Sequence, residues 1–412
     1  MRVLLSTIGS RGDVQPVVAL ALQLRALGEE VRLCVPPDFR EWIESFALPV
    51  TPIGPEVRAF AASRPTTPPA PPTPEQMRQL MDATVATQFD TIGAAAEGCD
   101  IIVATTAIQI ATRSVAELKR IPYVFAAYSP NVLPSPHHRP PVLTSVGQTP
   151  APADADIGEL WVRNAERFNN TFGASLNAHR VSRGLAPVND VRTHMFTDHP
   201  WLAADPTLGP WPDPDDDAVF QTGAWMLPDE RPLSAEVQAF LDAGDPPIYF
   251  GFGSTRAPQD VAHAIVESAR ALGRRAMVSR GWADLSLADD EPRCLVIGEV
   301  NVQTLFTQVA AVVHHGGAGT TTAAARAGAP QVIVPHMYDQ FYWAQRIDQF
   351  GIGSAHPPGA PTTESLTAAL ERALQPDVGS RAQSVAAAVR TDGAMVAARR
   401  VIALAATEWS RP

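Results

Sequence analysis

Four short stretches gather the groups that do chemistry. Val312–Thr322 reads V-V-H-H-G-G-A-G-T-T-T: an apolar run ends at His314 and His315, passes Gly316, Gly317 and Gly319, and reaches the hydroxyls of Thr320 and Thr321. Small residues let backbone amides approach a ligand, and a helix starting near Thr320 would aim its positive end at the same point. Amides, a hydroxyl and an imidazole together suit a diphosphate. A tight strand-to-helix turn with core histidines would produce the same letters. Pro335–Gln340 (P-H-M-Y-D-Q) places Asp339 and Gln340 just past another strand, where their acceptors and donors suit vicinal sugar hydroxyls or a plain surface turn. Phe250–Thr255 (F-G-F-G-S-T) begins like a dinucleotide fingerprint, but Arg256 holds the place of the third glycine, so Ser254 reads better as a phosphate contact. Ile8–Asp13 (I-G-S-R-G-D) puts a carboxylate in a Gly-punctuated loop after the first strand.

Composition removes several other chemistries. Lys119 is the sole lysine and Arg120 follows it, so no P-loop is present, and a Schiff-base enzyme would have to use a lysine in an ordinary helix. Cys34, Cys99 and Cys294 are too far apart in sequence for a zinc motif or disulfide framework and read as packing. The 412 residues carry a net charge of −11, which argues against a nucleic-acid or anionic-membrane binder. No signal segment and no apolar run of membrane-spanning length is visible, so a cytoplasmic protein is expected.

The elements that must hold these stretches follow a β-α pattern. Val3–Leu5 and Val31–Val35 read as strands, with Val17, Leu20, Leu24 and Leu27 at helical spacing between them; Pro16 opens that helix and Gly28 ends it. Ile101–Thr105 and Tyr123–Ala127 read as further strands around a helix 107–118. Beyond the Pro-rich acidic stretch Leu208–Asp217 the pattern restarts, with strands at 247–251, 276–279, 294–297, 311–314 and 331–335. Helices are expected at 261–272 and 320–327. Alternation of this kind implies parallel sheets covered on both faces. The runs 64–74 and 134–141 are too rich in proline for helix or central strand and read as exposed loops. The reading is two Rossmann-like domains, 1–207 and 223–394, joined by a linker 208–222, with a helical tail 395–412 returning to the first.

In order, G-S-R-G-D-V-Q-P, F-G-S, H-H-G-G-A-G-T and P-x-x-x-D-Q resemble the nucleotide-sugar glycosyltransferases of the GT-B fold. The closer resemblance is to the bacterial branch that glycosylates glycopeptide antibiotics of the vancomycin and teicoplanin type. L-C-V-P-P-D, H-P-W-L-A-A-D-P (199–206), Q-T-G-A-W and S-R-G-W-A-D (279–284) carry the same flavour, and the likeness spans essentially the whole chain.

The resemblance implies two α/β domains facing each other across a deep cleft. It places the donor diphosphate on His315, Gly317, Ala318, Gly319 and Thr320, assisted by Ser254, Ser10 and Arg11. The nucleobase and ribose would lie along Gly298–Gln303, with Val300, Gln303 and the upstream Trp282 as candidates, leaving uracil and thymine both open. Asp339 and Gln340 would touch the donor sugar, and Phe60, Tyr128, His137 and Trp161 would flank the acceptor unless they are core. Asp13 stands where plant relatives carry a histidine base; it implies an inverting transfer, though the same carboxylate could be a helix cap. Expected partners are a UDP- or dTDP-sugar and a small natural-product acceptor; no cofactor or metal is expected, and the chain is expected to be monomeric. A UDP-sugar 2-epimerase of the same fold and a non-catalytic sugar-nucleotide-binding activator are the rival readings. Product analysis with and without an acceptor separates them.

Overall fold

The computed structural model describes residues 1–58, 73–142, 151–152, 154–213, 215, 217–253, 259–281 and 293–408. Phe60, Ser254 and Trp282, with nearly all of the Pro-rich run 64–74, lie outside them.

Seven strands form the first sheet: β1 Arg2–Thr7, β2 Glu30–Val35, β3 Val50–Pro52, β4 Ile101–Thr105, β5 Tyr123–Ala127, β6 Trp201–Leu202 and β7 Phe220–Gln221. Six form the second: β8 Ile248–Gly251, β9 Ala276–Ser279, β10 Cys294–Ile297, β11 Ala311–His314, β12 Gln331–Ile333 and β13 Gly353–Ala355. The orders are β3-β2-β1-β4-β5-β6-β7 and β10-β9-β8-β11-β12-β13, and every pairing is parallel.

Side-chain alternation explains why these strands read as unbroken apolar runs. Leu4, Ile102 and Phe125 feed one buried cluster, whereas Val3, Leu5, Ile101, Val103 and Val124 feed another. Each strand therefore supplies a core on both faces, as a parallel sheet between helix layers requires.

The first helix, α1 (Arg11–Ala26), starts five residues before Pro16. Its N-cap is Ser10, whose backbone N–H bonds the Asp13 carboxylate at 2.6 Å. That local cap overrides the proline as a start signal, and Pro16 lies inside the helix with no N–H to give the Gly12 carbonyl. Two further helices cover the first sheet: α2 (Pro74–Ala95) and α3 (Ile157–Ser182). In the second domain α4 (Ala318–Arg326) and α5 (Gln340–Phe350) leave β11 and β12. The tail helix α6 (Gly393–Glu408) crosses back, and its Ala397, Ala398 and Val401 share a cluster with Val17, Leu20 and Leu24 of α1. Among the described residues no helix is long and apolar enough to cross a membrane.

The first sheet reaches past residue 207. β7 pairs with β6, Trp201 opposite Phe220, and these two rings meet edge-on at 5.5 Å. The stretch read as a linker thus loops out through its prolines and returns a strand to the first domain, because Phe220 has an aromatic partner waiting there.

Leu20 is fully buried at the junction of α1 and α6. Leu20→Ala should cost about 2–5 kcal/mol, as cavity-forming core truncations do, read from the shift of the denaturant midpoint. A shift within a few tenths of a kcal/mol would mean the tail is not packed there.

Candidate functional site

Each sheet reverses its strand order once, between β1 and β4 in the first and between β8 and β11 in the second. Loops leaving neighbouring strands diverge at such a point and open a crevice at the carboxyl edge. Three of the four stretches singled out in the sequence leave strands at these reversals, and the fourth follows β12, next to β11.

Asp13 is held in one position. Its Oδ2 accepts from the Ser10 N–H at 2.6 Å and from the Ser10 hydroxyl at 3.1 Å, and a Cβ on Gly9 would lie 2.2 Å from the same oxygen. The carboxylate therefore folds back over Gly9, where only glycine leaves room. From below, the Tyr128 hydroxyl lies 3.0 Å from both the Asp13 carbonyl and Thr105 Oγ1. A phenol has one proton and a carbonyl can only accept, so the phenol donates to Asp13 and accepts from Thr105. Burial pushes the Asp13 carboxyl up to about 6 against the opposing bonds from Ser10. Ser10, expected at the diphosphate, is thus engaged with Asp13.

The two histidines of the glycine loop divide their work. His314 is buried, with Nε2 2.9 Å from Gln331 Oε1 and Nδ1 accepting the Gly316 N–H at 3.1 Å. Those two partners fix its tautomer and make it the strut of the turn. His315 lies between two glycines: a Cβ on Gly253 would sit 3.0 Å from its Cε1, and one on Gly317 2.7 Å from its Nε2. Its Nδ1 is buried with no partner among the described residues. Burial, with help from the charge of His336, lowers His315 to about 4, so it is a neutral hydrogen-bonding group at pH 7. Gly317 caps α4, which leaves the amides of Ala318, Gly319 and Thr320 in the first turn without intrahelical acceptors. Thr321 spends its hydroxyl on the Gly317 carbonyl, whereas Thr320 is half-exposed beside the amides.

The D-Q turn faces Asp13 from the other domain, and the Asp13 charge raises both Tyr338 and Asp339. Asp339 goes up to about 7, mainly through burial. Gln340 is anchored: its Oε1 accepts the N–H groups of His336 and Met337 at 2.8 and 3.1 Å, which turns its amide nitrogen to other uses. Tyr338 adopts a left-handed φ of 56°, and its N–H bonds the Val142 carbonyl of the first domain at 2.8 Å.

The expected nucleobase segment is clamped to the chain that enters the second domain. Asn301 Nδ2 donates to the carbonyls of Asp229 and Arg231, and Gln303 Nε2 donates to Leu227 at 2.7 Å, while Val300 stays half-buried. Asn301 was missed in the sequence, although N-V-Q-T carries the signature of the N-cap it makes with Thr304. Arg11 stacks on Trp42 of the first domain at 3.5 Å and reaches Glu299 of the base segment at 3.9 Å.

Two residues expected at the acceptor also make structural bonds. Trp161 is buried and its indole N–H lies within 3.0 Å of the Ser135 and His138 carbonyls, pinning the Pro-rich loop. Tyr128 is committed beneath Asp13. His137 is exposed on a cleft of about 580 Å³ that runs from Tyr338 of the D-Q turn to Pro210, Tyr342 and Arg346. Ile108, not singled out before, stays 44% exposed in the loop after β4, where Gln88 Nε2 ties its carbonyl.

Two parallel sheets facing each other, each with a crevice at its strand reversal, make the GT-B fold of nucleotide-sugar enzymes. The glycosyltransferase VinC, solved in complex with dTDP, has this fold: TM-score 0.69, 18% identity, covering 99% of this chain and 100% of that one. A glycosyltransferase family 28 N-terminal domain model matches residues 3–135, and an erythromycin biosynthesis protein CIII-like C-terminal domain model matches 284–399. Three proteins of Amycolatopsis orientalis match nearly end to end. Glycosyltransferase GtfE is 52% identical over 99% of this chain and 98% of its own, and the vancomycin aglycone glucosyltransferase is 51% identical over 98% and 97%. A dTDP-epi-vancosaminyltransferase is 44% identical over 93% of each chain. The chain belongs to this family of vancomycin-type glycosyltransferases.

His315→Ala should weaken nucleoside diphosphate binding roughly tenfold or more, the worth of one hydrogen bond to a charged group, with little change in Tm. Calorimetric affinities for UDP and dTDP that match the unmutated enzyme would remove His315 from the site.

Proposed function

We propose that this enzyme transfers a sugar from a UDP- or dTDP-sugar to a hydroxyl of a glycopeptide aglycone, inverting the anomeric centre without a metal ion. One observation carries the reading: near-complete alignment with the vancomycin aglycone glucosyltransferase at 51% identity, in a chain whose Asp13 and Asp339 face each other across the domain boundary.

The amides at the start of α4, Thr320 and neutral His315 would hold the diphosphate, the helix dipole supplying positive potential. Gly298–Gln303 would take the nucleoside, and Asp339 with the Gln340 amide nitrogen would bind sugar hydroxyls. The acceptor would lie against the first domain beside Asp13, over Ile108. Its hydroxyl oxygen forms a bond to the anomeric carbon as the bond to the diphosphate oxygen breaks. The hydroxyl proton passes to the Asp13 carboxylate, and the electron pair leaves with the diphosphate. A carboxyl raised to about 6 is a stronger base than a solvated aspartate, yet stays ionised at neutral pH. Attack opposite the leaving group turns an α-linked donor into a β-glycoside.

The acceptors and donors of the Asp339-Gln340 pair support a hydroxylated hexose, glucose or N-acetylglucosamine, as the donor sugar. The vancosaminyltransferase relative makes a deoxyaminosugar the alternative. A donor panel assayed by mass spectrometry decides, and transfer confined to deoxyaminosugars would overturn the hexose assignment. Sugar isomerised without an acceptor would mean an epimerase, and binding without turnover a non-catalytic protein.

Asp13→Asn keeps an acceptor for the Ser10 N–H but removes the base. Turnover should fall by about 10²–10⁴ with Tm and donor affinity close to the parent. In the parent, kcat should rise with pH through about 6 as Asp13 ionises and then level off. Near-normal turnover in Asp13→Asn, or a flat acid limb in the parent, would place the base elsewhere.

A further inference from the structure

We propose that Trp343 is a positioning residue for the donor sugar: its indole N–H fixes one oxygen of Asp339 so that the other is presented to a sugar hydroxyl. The inference rests on the reading of Asp339 as a sugar contact.

Asp339 is the N-cap of α5, and Trp343 follows four residues later, one turn along the same helix face. Trp343 Nε1 donates to Asp339 Oδ2 at 3.1 Å, while the Asp339 side chain makes no cap bond to its own helix. The carboxylate is therefore oriented by the indole. Trp343 is almost fully buried, and a buried indole N–H needs an acceptor, so the bond serves both partners. The ring is itself fixed: a Cβ on Gly209 would lie 2.8 Å from its Cη2, and Pro130 borders the same spot. Glycine at 209 lets the segment between the domains lie flat on the indole. Orientation thus runs from that segment, through a rigid ring, to a carboxylate at the mouth of the cleft.

The charges around Asp339 make the bond matter more. Asp13 of α1 faces it across the cleft, and Tyr338 shares its turn, with Arg167 of α3 acting on Tyr338. Burial and Asp13 push Asp339 towards protonation, and the Trp343 bond is the leading influence holding it ionised. Without the indole N–H, Asp339 would turn freely and hold its proton to higher pH.

The test is Trp343→Phe, which keeps most of the ring volume and removes the donor. Donor KM should rise roughly tenfold, with acceptor KM unchanged. Raising the pH towards 9 should recover part of the loss, as Asp339 ionises. In an Asp339→Ala background, which itself raises donor KM, the Trp343→Phe change should add nothing. Wild-type donor KM in Trp343→Phe, or a full additive loss in the Asp339→Ala background, overturns the proposal. An unchanged donor KM in Asp339→Ala itself would instead sink the sugar-contact reading, and with it this one. Should Trp343→Phe not fold, the folded parent still decides. One of its eight indole N–H resonances should move on Asp339→Ala substitution. A spectrum with none moving counts against the bond.

Discussion

A carboxylate folded over a glycine is the constraint around which the first domain is arranged. Asp13 sits where a Cβ of residue 9 would have to be, so Gly9 is required by contact and not only by loop flexibility. Ser10 tethers the carboxylate, Tyr128 tethers the backbone beneath it, and Thr105 at the end of β4 completes the relay. This arrangement opposes stability. A carboxyl raised from 3.8 to about 6 binds its proton more tightly in the folded state than in the unfolded one. Its contribution is present below pH 3.8 and is lost as pH rises through about 6, so at neutral pH the ionised group costs folding free energy. A cap at a helix start does not need that burial. The cost fits a group kept for its proton affinity.

The second domain is tied to the first by contacts of unequal strength. Tyr338 holds a left-handed backbone that costs an ordinary residue about 1–3 kcal/mol, and in that conformation its N–H meets the Val142 carbonyl. Arg346 Nε bonds the Leu208 carbonyl at 2.9 Å, and α6 buries an apolar face on α1. By comparison the Arg11–Glu299 pair, 3.9 Å long with Glu299 largely exposed, contributes little to holding the domains together. The firm ties lie at the D-Q turn, the interdomain segment and the tail, leaving the base side of the cleft with its weakest clasp.

Much of this was legible in the sequence. β4, β5, β9 and β11 fall on the residues their apolar runs marked, because strands buried on both faces have no polar alternation to blur them, and the half-buried edge strand β10 was marked by its apolar run as well. The start of α1 was misplaced because a side-chain cap three residues along the chain outranks a proline. The 26-residue α3 was overlooked because few of its side chains are buried, Trp161, Asn164, Leu176 and Arg180, so its apolar stripe is thin; only D-x-x-E at Asp156–Glu159 announced its start. Within the site, His314 and His315 are the same letter. Alternation at the end of β11 turns the two rings to different surroundings, but which one is the strut is known only once the face that carries Gln331 is known. The linkage of Tyr128 to Asp13 spans 115 residues, and no local pattern encodes it.

Burial acts with opposite signs on the two groups proposed to carry the reaction. It raises Asp13 to about 6 and lowers His315 to about 4, since in each case the charged form is the one disfavoured. Above pH 6 one cleft can therefore present an ionised base and a neutral imidazole together. In that pH range a diphosphate here would meet helix-terminus amides and a neutral N–H donor at the glycine loop, not a buried imidazolium. Fixed dipoles serve that role without protonation, and they need no reorganisation as charge builds on the leaving oxygen.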